Sequence, residues 1–354
     1  MTESELNQLL STISPADEAA RAAAHAHWSG LAKPLGGLGA LETLLEDAAA
    51  LTGSARLAFP RRAVLVLCAD NGVVAQGVSQ TDQSVTRAVA QSLALRRTSV
   101  CQMANAARCE VVPVDIGMAG ALVPGVQNCR IAAGTQDFTK GPAMTRAEAV
   151  EAIARGIGLV RAQKAAGFSL LATGEMGIGN TTTSSAVAAV LLGRPVEGMT
   201  GRGAGLSDAG LARKRDAIRR GIAVNAPDAA DPLDVLSKLG GFDIAGLAGV
   251  FLGGALEQVP IVMDGFISGV AALCAVRLCP AAAKAVFASH CSSEPAARLV
   301  LEALGKAPLL TAGLHLGEGT GAVASLPLWD MALAVYDHCY SFTEGGIAPY
   351  TPQC

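Results

Sequence analysis

Five short apolar runs punctuate this chain, and each stops at a polar or glycine-bearing turn. Ala63–Ala69 (AVLVLCA) stops at Asp70-Asn71-Gly72, and Glu110–Ile116 (EVVPVDI) at Gly117. Phe168–Thr173 stops at Gly174-Glu175, Pro260–Asp264 at Gly265, and Ala285–His290 at Cys291-Ser292. Apolar runs of this length suit strands covered on both faces of a parallel sheet. Alanine-rich stretches of helical length separate them, which predicts an α/β protein: a Rossmann-like parallel sheet flanked by helices. Ligands of such sheets bind beyond the carboxyl ends of the strands. The polar turns are therefore expected at one edge, together.

The third turn carries the densest chemistry, GEMGIGNTTT over Gly174–Thr183, followed by a helix-compatible run Ser184–Leu192. A strand, a glycine turn and a helix start present backbone N–H groups at the positive end of a helix dipole, which cradles anions. The same residues also suit a plain tight connection capped by Asn180 or Thr181. Glu175 does not fit a pure phosphate site, because a carboxylate repels an anion unless it faces a hydroxyl or an N–H. A ligand here should carry an anion and hydrogen-bond donors, as a ribose phosphate does.

With 354 residues, the chain has room for a large domain and a small one. A net charge of −3 gives no electrostatic case for nucleic acid or an anionic membrane. Met1–Glu5 is acidic and lacks a signal-peptide core, and Ile244–Leu256 and Gly265–Val276 are too short to span a bilayer. A cytoplasmic protein is expected. The cysteines at 68, 101, 109, 129, 274, 279, 291, 339 and 354 include no C-x-x-C pair and show no metal-ligand spacing with histidine.

Residues 1–60 read as helical (4–10, 17–28 and 39–51) with a break at Lys33–Gly39. Further helices are expected over 85–95, from Thr145 through Val160 with Thr145 and Glu148 as a capping box, over 207–224 and 235–254, and to about Tyr340. Pro113 counts against a central place for its strand. These patterns predict a large α/β domain, 61–324, and a small helical domain built from 1–60 and 325–354.

Taken together, the segments resemble the nicotinate-nucleotide:dimethylbenzimidazole phosphoribosyltransferase family of cobalamin lower-ligand synthesis. The matching stretches are KPLGGLGALE (33–42), CADNGV (68–73), GPAMT (141–145), GEMGIGNTT (174–182), GRGAGL (201–206) and LARK (211–214). They continue with KLGGFDIAGLAGV (238–250), MDGFISGVAAL (263–273), SHCSSE (289–294) and LGEGTGA (316–322), in order from about residue 30 to 345.

The resemblance implies transfer of the 5-phosphoribosyl group of nicotinate mononucleotide to 5,6-dimethylbenzimidazole, giving α-ribazole 5′-phosphate and nicotinate with inversion at C1′. It implies Glu318 as general base, and Glu175, Gly177, Ile178, Gly179, Asn180 and Thr181 around the ribose and phosphate. Gly203 and Lys214 are placed near the phosphate; Asp264, Gly265 and Ser292 close the same pocket. The acceptor base falls to Thr81, Val89 and Leu316. Neither cofactor nor metal is implied, and a homodimer is, with helices 235–256 and 266–276 suited to its interface. The chain departs from the family pattern at Asn71 (often histidine), Thr81 (serine), Val89 (glutamine) and His315 (arginine). Those departures leave open transfer to adenine, another benzimidazole or a phenol. A diphosphate-dependent, magnesium-requiring phosphoribosyltransferase lacks its acidic pair here. A nucleotide-binding regulator would have no use for Glu318 between its glycines.

Overall fold

The computed structural model describes residues 1–351. Six strands form one parallel sheet: β1 (Arg62–Ala69), β2 (Glu110–Gly117), β3 (Gln127–Asn128), β4 (Leu170–Met176), β5 (Ile261–Met263) and β6 (Val286–Ala288). Their order is β3-β2-β1-β4-β5-β6, so the winding reverses between β1 and β4. A crevice opens at such a reversal, beyond the carboxyl ends of the two strands. The Asp70 turn leaves β1 there and the Gly174–Thr183 turn lies at the end of β4. β1 and residues 170–175 of β4 are buried throughout, as their unbroken apolar runs require. β3 reaches only Val114 and Asp115, so Pro113 has a sheet neighbour on one side alone.

The expected helices form with three differences, and Ser99–Ala106 and Ala297–Leu304 are helices beyond those expected. Thr145 and Glu148 form the expected capping box on Arg146–Ala165, and Ser207 caps Asp208–Asn225. The helix after the central turn starts at Asn180 and not at Ser184; its N-cap is Gly179 (φ 94°), with no side-chain cap. The stretch 235–254 is not one helix. It divides into Pro232–Leu239 and Phe242–Glu257 at Gly240-Gly241, where a Cβ would come within 2.5 Å of Leu236 O or 2.4 Å of Asn71 Oδ1. Nor is Phe242–Glu257 a free interface helix, because Phe242–Ala255 is buried by the chain's own sheet and by Arg146–Ala165. Phe266–Leu278 is largely buried as well.

Arg146–Ala165 and Phe242–Glu257 cross backbone to backbone. A Cβ on Gly156 would lie 2.0 Å from Gly246 O, and one on Gly249 2.1 Å from Ile153 O. Gly156→Ala must push these helices apart, and overpacking of this kind costs about 1–3 kcal/mol or more. Urea unfolding should show a lowered midpoint at unchanged slope; an unchanged midpoint would mean the helices separate freely.

The C-terminal helix Thr320–His338 packs on Ala40–Thr52, Ser99–Ala106 and β4. Tyr336 meets Trp28 edge-on at 4.9 Å and donates to Ala55 O. The eight described cysteines are unpaired; Cys354 lies outside the described residues. Among the described residues no helix is long and apolar enough to cross a membrane.

Candidate active site

A cleft of about 240 Å³ opens beyond the carboxyl ends of the central strands. It is lined by Glu175, Gly177, Ile178, Gly179, Asn180 and Thr181 from the central turn. Gly203, Asp264, Gly265, Ser292, Leu316 and Glu318 close it from other turns. Lys214 is not in the wall but directly behind it. Thr81 is exposed and Val89 half-buried on the helix Ser84–Ala94, and neither lines the cleft.

Glycines bring the two glutamates side by side. The end of β4 and the Leu316–Ala322 turn press backbone on backbone: a Cβ on Gly174 would meet Glu318 O at 2.5 Å, and one on Gly319 would meet Thr173 O at 3.0 Å. The Glu318 N–H donates to Glu175 O (3.2 Å). Glu318 itself sits at φ 60°, a left-handed conformation rare for a residue with a Cβ. Asp264, at the end of β5, accepts from the N–H groups of Gly319, Gly321 and Ala322 (3.2, 2.8 and 3.0 Å). It thereby caps the helix that starts at Thr320, and so fixes the turn carrying Glu318. Burial raises the Glu318 carboxyl, and Thr98 and the Val100 N–H, at the start of Ser99–Ala106, oppose the rise.

Glu175 is buried. Burial, reinforced by the charges of Asp243 and Asp264, pushes its carboxyl up to about 8, so it is largely protonated at neutral pH. Asn180, freed from capping, donates its side-chain amide to Glu175 Oε2. Asp243, raised to about 6 by burial, accepts from the Ile244 N–H, and the nearby side chains of Asn180 and Asn71 oppose the rise; it backs the cluster from Phe242–Glu257. A neutral Glu175 removes the repulsion that a carboxylate would exert on an anionic ligand.

Lys214 has the pattern of a solvated helix lysine, yet it is only 1% exposed. Its Nζ donates to Thr181 Oγ1 (2.8 Å) and Gly201 O (3.1 Å). Burial lowers its pKa to about 8, against the pull of Glu294. Gly203 (φ 53°) leaves this spot open, since its Cβ would lie 2.8 Å from Thr181 Oγ1. A cation beside the N-terminus of Asn180–Leu191 is a strong anion site. Gln80 Nε2 donates to Ala204 O (2.7 Å) and Gly205 O (2.6 Å), clasping the loop after Gly77 to the loop carrying Gly203.

Several contributors escape sequence reasoning. The Asp70 carboxylate accepts from the Ala119 N–H (2.8 Å) and faces Thr86, whose Oγ1 accepts from the Ile178 N–H (3.2 Å) and steadies the central turn. Asp70 ends a strand, which was a legible signal. Thr86 and Gln80 carry none, because only the folded chain brings them to the turn; Asp243 lies in the matching stretch 238–250, yet its place behind Glu175 is visible only in the fold.

A family model described as Phosphoribosyltransferase matches residues 13–347. The nicotinate-nucleotide–dimethylbenzimidazole phosphoribosyltransferase of Acetivibrio thermocellus is 46% identical over 324 residues, 91% of this chain and 92% of that one. The enzyme of the same name from Desulforudis audaxviator is 44% identical over 97% of this chain and 98% of its own. The crystal structure of CobT from Thermus thermophilus superposes with a TM-score of 0.89 at 40% identity, covering 94% of this chain and all of that one. The chain belongs to the nicotinate-nucleotide–dimethylbenzimidazole phosphoribosyltransferase family.

Proposed function

We propose that the cleft transfers the 5-phosphoribosyl group of nicotinate mononucleotide to 5,6-dimethylbenzimidazole, with Glu318 as general base. The observation that carries this reading is one cleft lined by a backbone-locked glutamate, with a buried lysine directly behind its wall and beside a helix N-terminus. Lys214, Gly203, Thr181 and the turn Gly177–Asn180 take the phosphate and ribose, with Gly265 and Ser292 completing the wall. The unprotonated ring nitrogen of the acceptor attacks C1′ from the face opposite nicotinate. The C1′–N bond breaks, its electron pair neutralises the departing pyridinium, and C1′ inverts. The other acceptor nitrogen gives its proton to Glu318, which removes the charge gained in the attack. Neutral Glu175 offers a hydrogen bond without opposing the phosphate.

We assign the acceptor end to Leu316, which is 56% exposed at the cleft lip. We place Thr81 and Val89 at the same end of the site, outside the cleft wall, on the segment whose residues Val78, Ser79 and Gln80 reach the cleft. We also propose that 1–60 and 325–354 form a small helical domain, a division supported by the Trp28–Tyr336 contact; residues 352–354 lie outside the described residues. We further propose a cytoplasmic homodimer.

Parallel assays with nicotinate mononucleotide and dimethylbenzimidazole, adenine or p-cresol test the acceptor. Preferred turnover of dimethylbenzimidazole is expected. Turnover of another acceptor alone keeps the mechanism and overturns the specificity.

The pH profile of kcat/KM follows from the same groups. Glu318 must be ionised, and its raised carboxyl places the acid limb above the ordinary glutamate value of about 4.3. Lys214 loses its charge, and Glu175 its proton, as pH rises through about 8, so activity falls on that side too. A profile still flat at pH 9.5 would contradict both assignments.

A further inference from the structure

Ser289, at the end of β6, is fully buried. Its Oγ lies 2.6 Å from Met263 O and 3.0 Å from Nδ1 of His290. A serine hydroxyl has one proton and a carbonyl only accepts, so that proton goes to Met263. The second contact must then run the other way, with His290 Nδ1–H donating to Ser289 Oγ. A neutral imidazole carries one N–H, so Nε2 keeps its lone pair.

The ring is seated for this. A Cβ on Gly321 would lie 2.0 Å from Cε1 and Nδ1, and one on Gly265 would lie 3.2 Å from Nε2. Asp264, 4.0 Å from Nδ1, already accepts three backbone N–H groups and leaves the Nδ1 proton to Ser289. Burial favours the neutral ring, against the Asp264 charge. His290 lines the cleft beside Gly265 and Ser292.

We propose that His290 contacts the nucleotide directly, its Nε2 accepting a hydrogen bond from a ribose hydroxyl. The inference rests on the nucleotide reading above. A nicotinate mononucleotide presents a phosphate, a carboxylate and two ribose hydroxyls; only the hydroxyls are donors at neutral pH. An anion at Nε2 would meet a lone pair, whereas a hydroxyl meets its acceptor. A site built to accept from a hydroxyl rejects the analogue that lacks it.

Calorimetric titration of the full chain with nicotinate mononucleotide and its 2′-deoxy and 3′-deoxy analogues tests this without any acceptor base. Wild type should bind one deoxy analogue at least about tenfold more weakly than the parent. His290→Ala should compress that ratio to within about threefold, and His290→Gln, whose amide oxygen can accept, should retain part of it. Nitrogen-15 spectra of His290 should show Nδ1 protonated and Nε2 bare, free and bound. Discrimination unchanged in His290→Ala, or a protonated Nε2 in the complex, overturns the proposal; the latter would make His290 an imidazolium partner of the phosphate or carboxylate. Failure of wild type to bind the parent nucleotide overturns the functional reading, and this inference with it.

Discussion

Glu318→Gln should bind nicotinate mononucleotide as wild type does and yet turn over about 10²–10⁴-fold more slowly, the range general-base removal spans. Glutamine keeps the length and shape of the side chain, so the turn should survive: Gly319, Gly321 and Ala322 stay bound to Asp264, and the 318 N–H to Glu175 O. What disappears is the atom placed to take the acceptor's proton. The loss should fall on kcat, with KM for the nucleotide near wild type, because the group acts in the transition state and not on the phosphate. Glu318 Oε2 is buried without a hydrogen-bond partner, so the amide brings a donor to a place now lacking one. A fall in KM alongside kcat would therefore point to relief of ground-state strain and away from lost proton transfer. Full activity in the variant would remove Glu318 from the chemistry altogether.

The central turn and the Leu316–Ala322 turn were legible because glycine leaves a mark in sequence wherever backbone touches backbone. The same signal stands at Gly240-Gly241, but the apolar content of 235–254 outweighs it and suggests one helix. Fully buried helices cannot be told from interface helices by composition, which is why Phe242–Glu257 reads as a helix facing a partner. Asn180 misleads for a different reason. A cap and a carboxylate partner need the same amide-bearing residue, and only the packing of Glu175 against Asp243 decides between them. The capping function of Asp264 depends on residues more than 50 positions away, and no local pattern encodes it.

Lys214→Met should separate stability from function most sharply. The lysine is buried with two neutral hydrogen-bond partners, and the opposing charge of Glu294 does not hold its pKa up. A base whose folded pKa is lowered destabilises the fold while charged. That cost is complete below about pH 8 and fades as pH rises toward the unfolded value of 10.5. Methionine fills similar space and removes that cost, at the loss of one donor to Thr181 Oγ1 and Gly201 O. The free variant should therefore melt no lower than wild type at pH 7, and the difference between them should shrink above pH 8. Nucleotide binding should move the other way. A charge-assisted hydrogen bond to phosphate contributes about 1.5–3 kcal/mol, so affinity should fall about 10–100-fold, and more at low salt, where wild type gains most. Added nucleotide should then raise the melting temperature of wild type far more than that of the variant. A variant that melts well below wild type and still binds nucleotide normally would make Lys214 a structural residue. In that case the positive end of Asn180–Leu191 would have to hold the phosphate unaided.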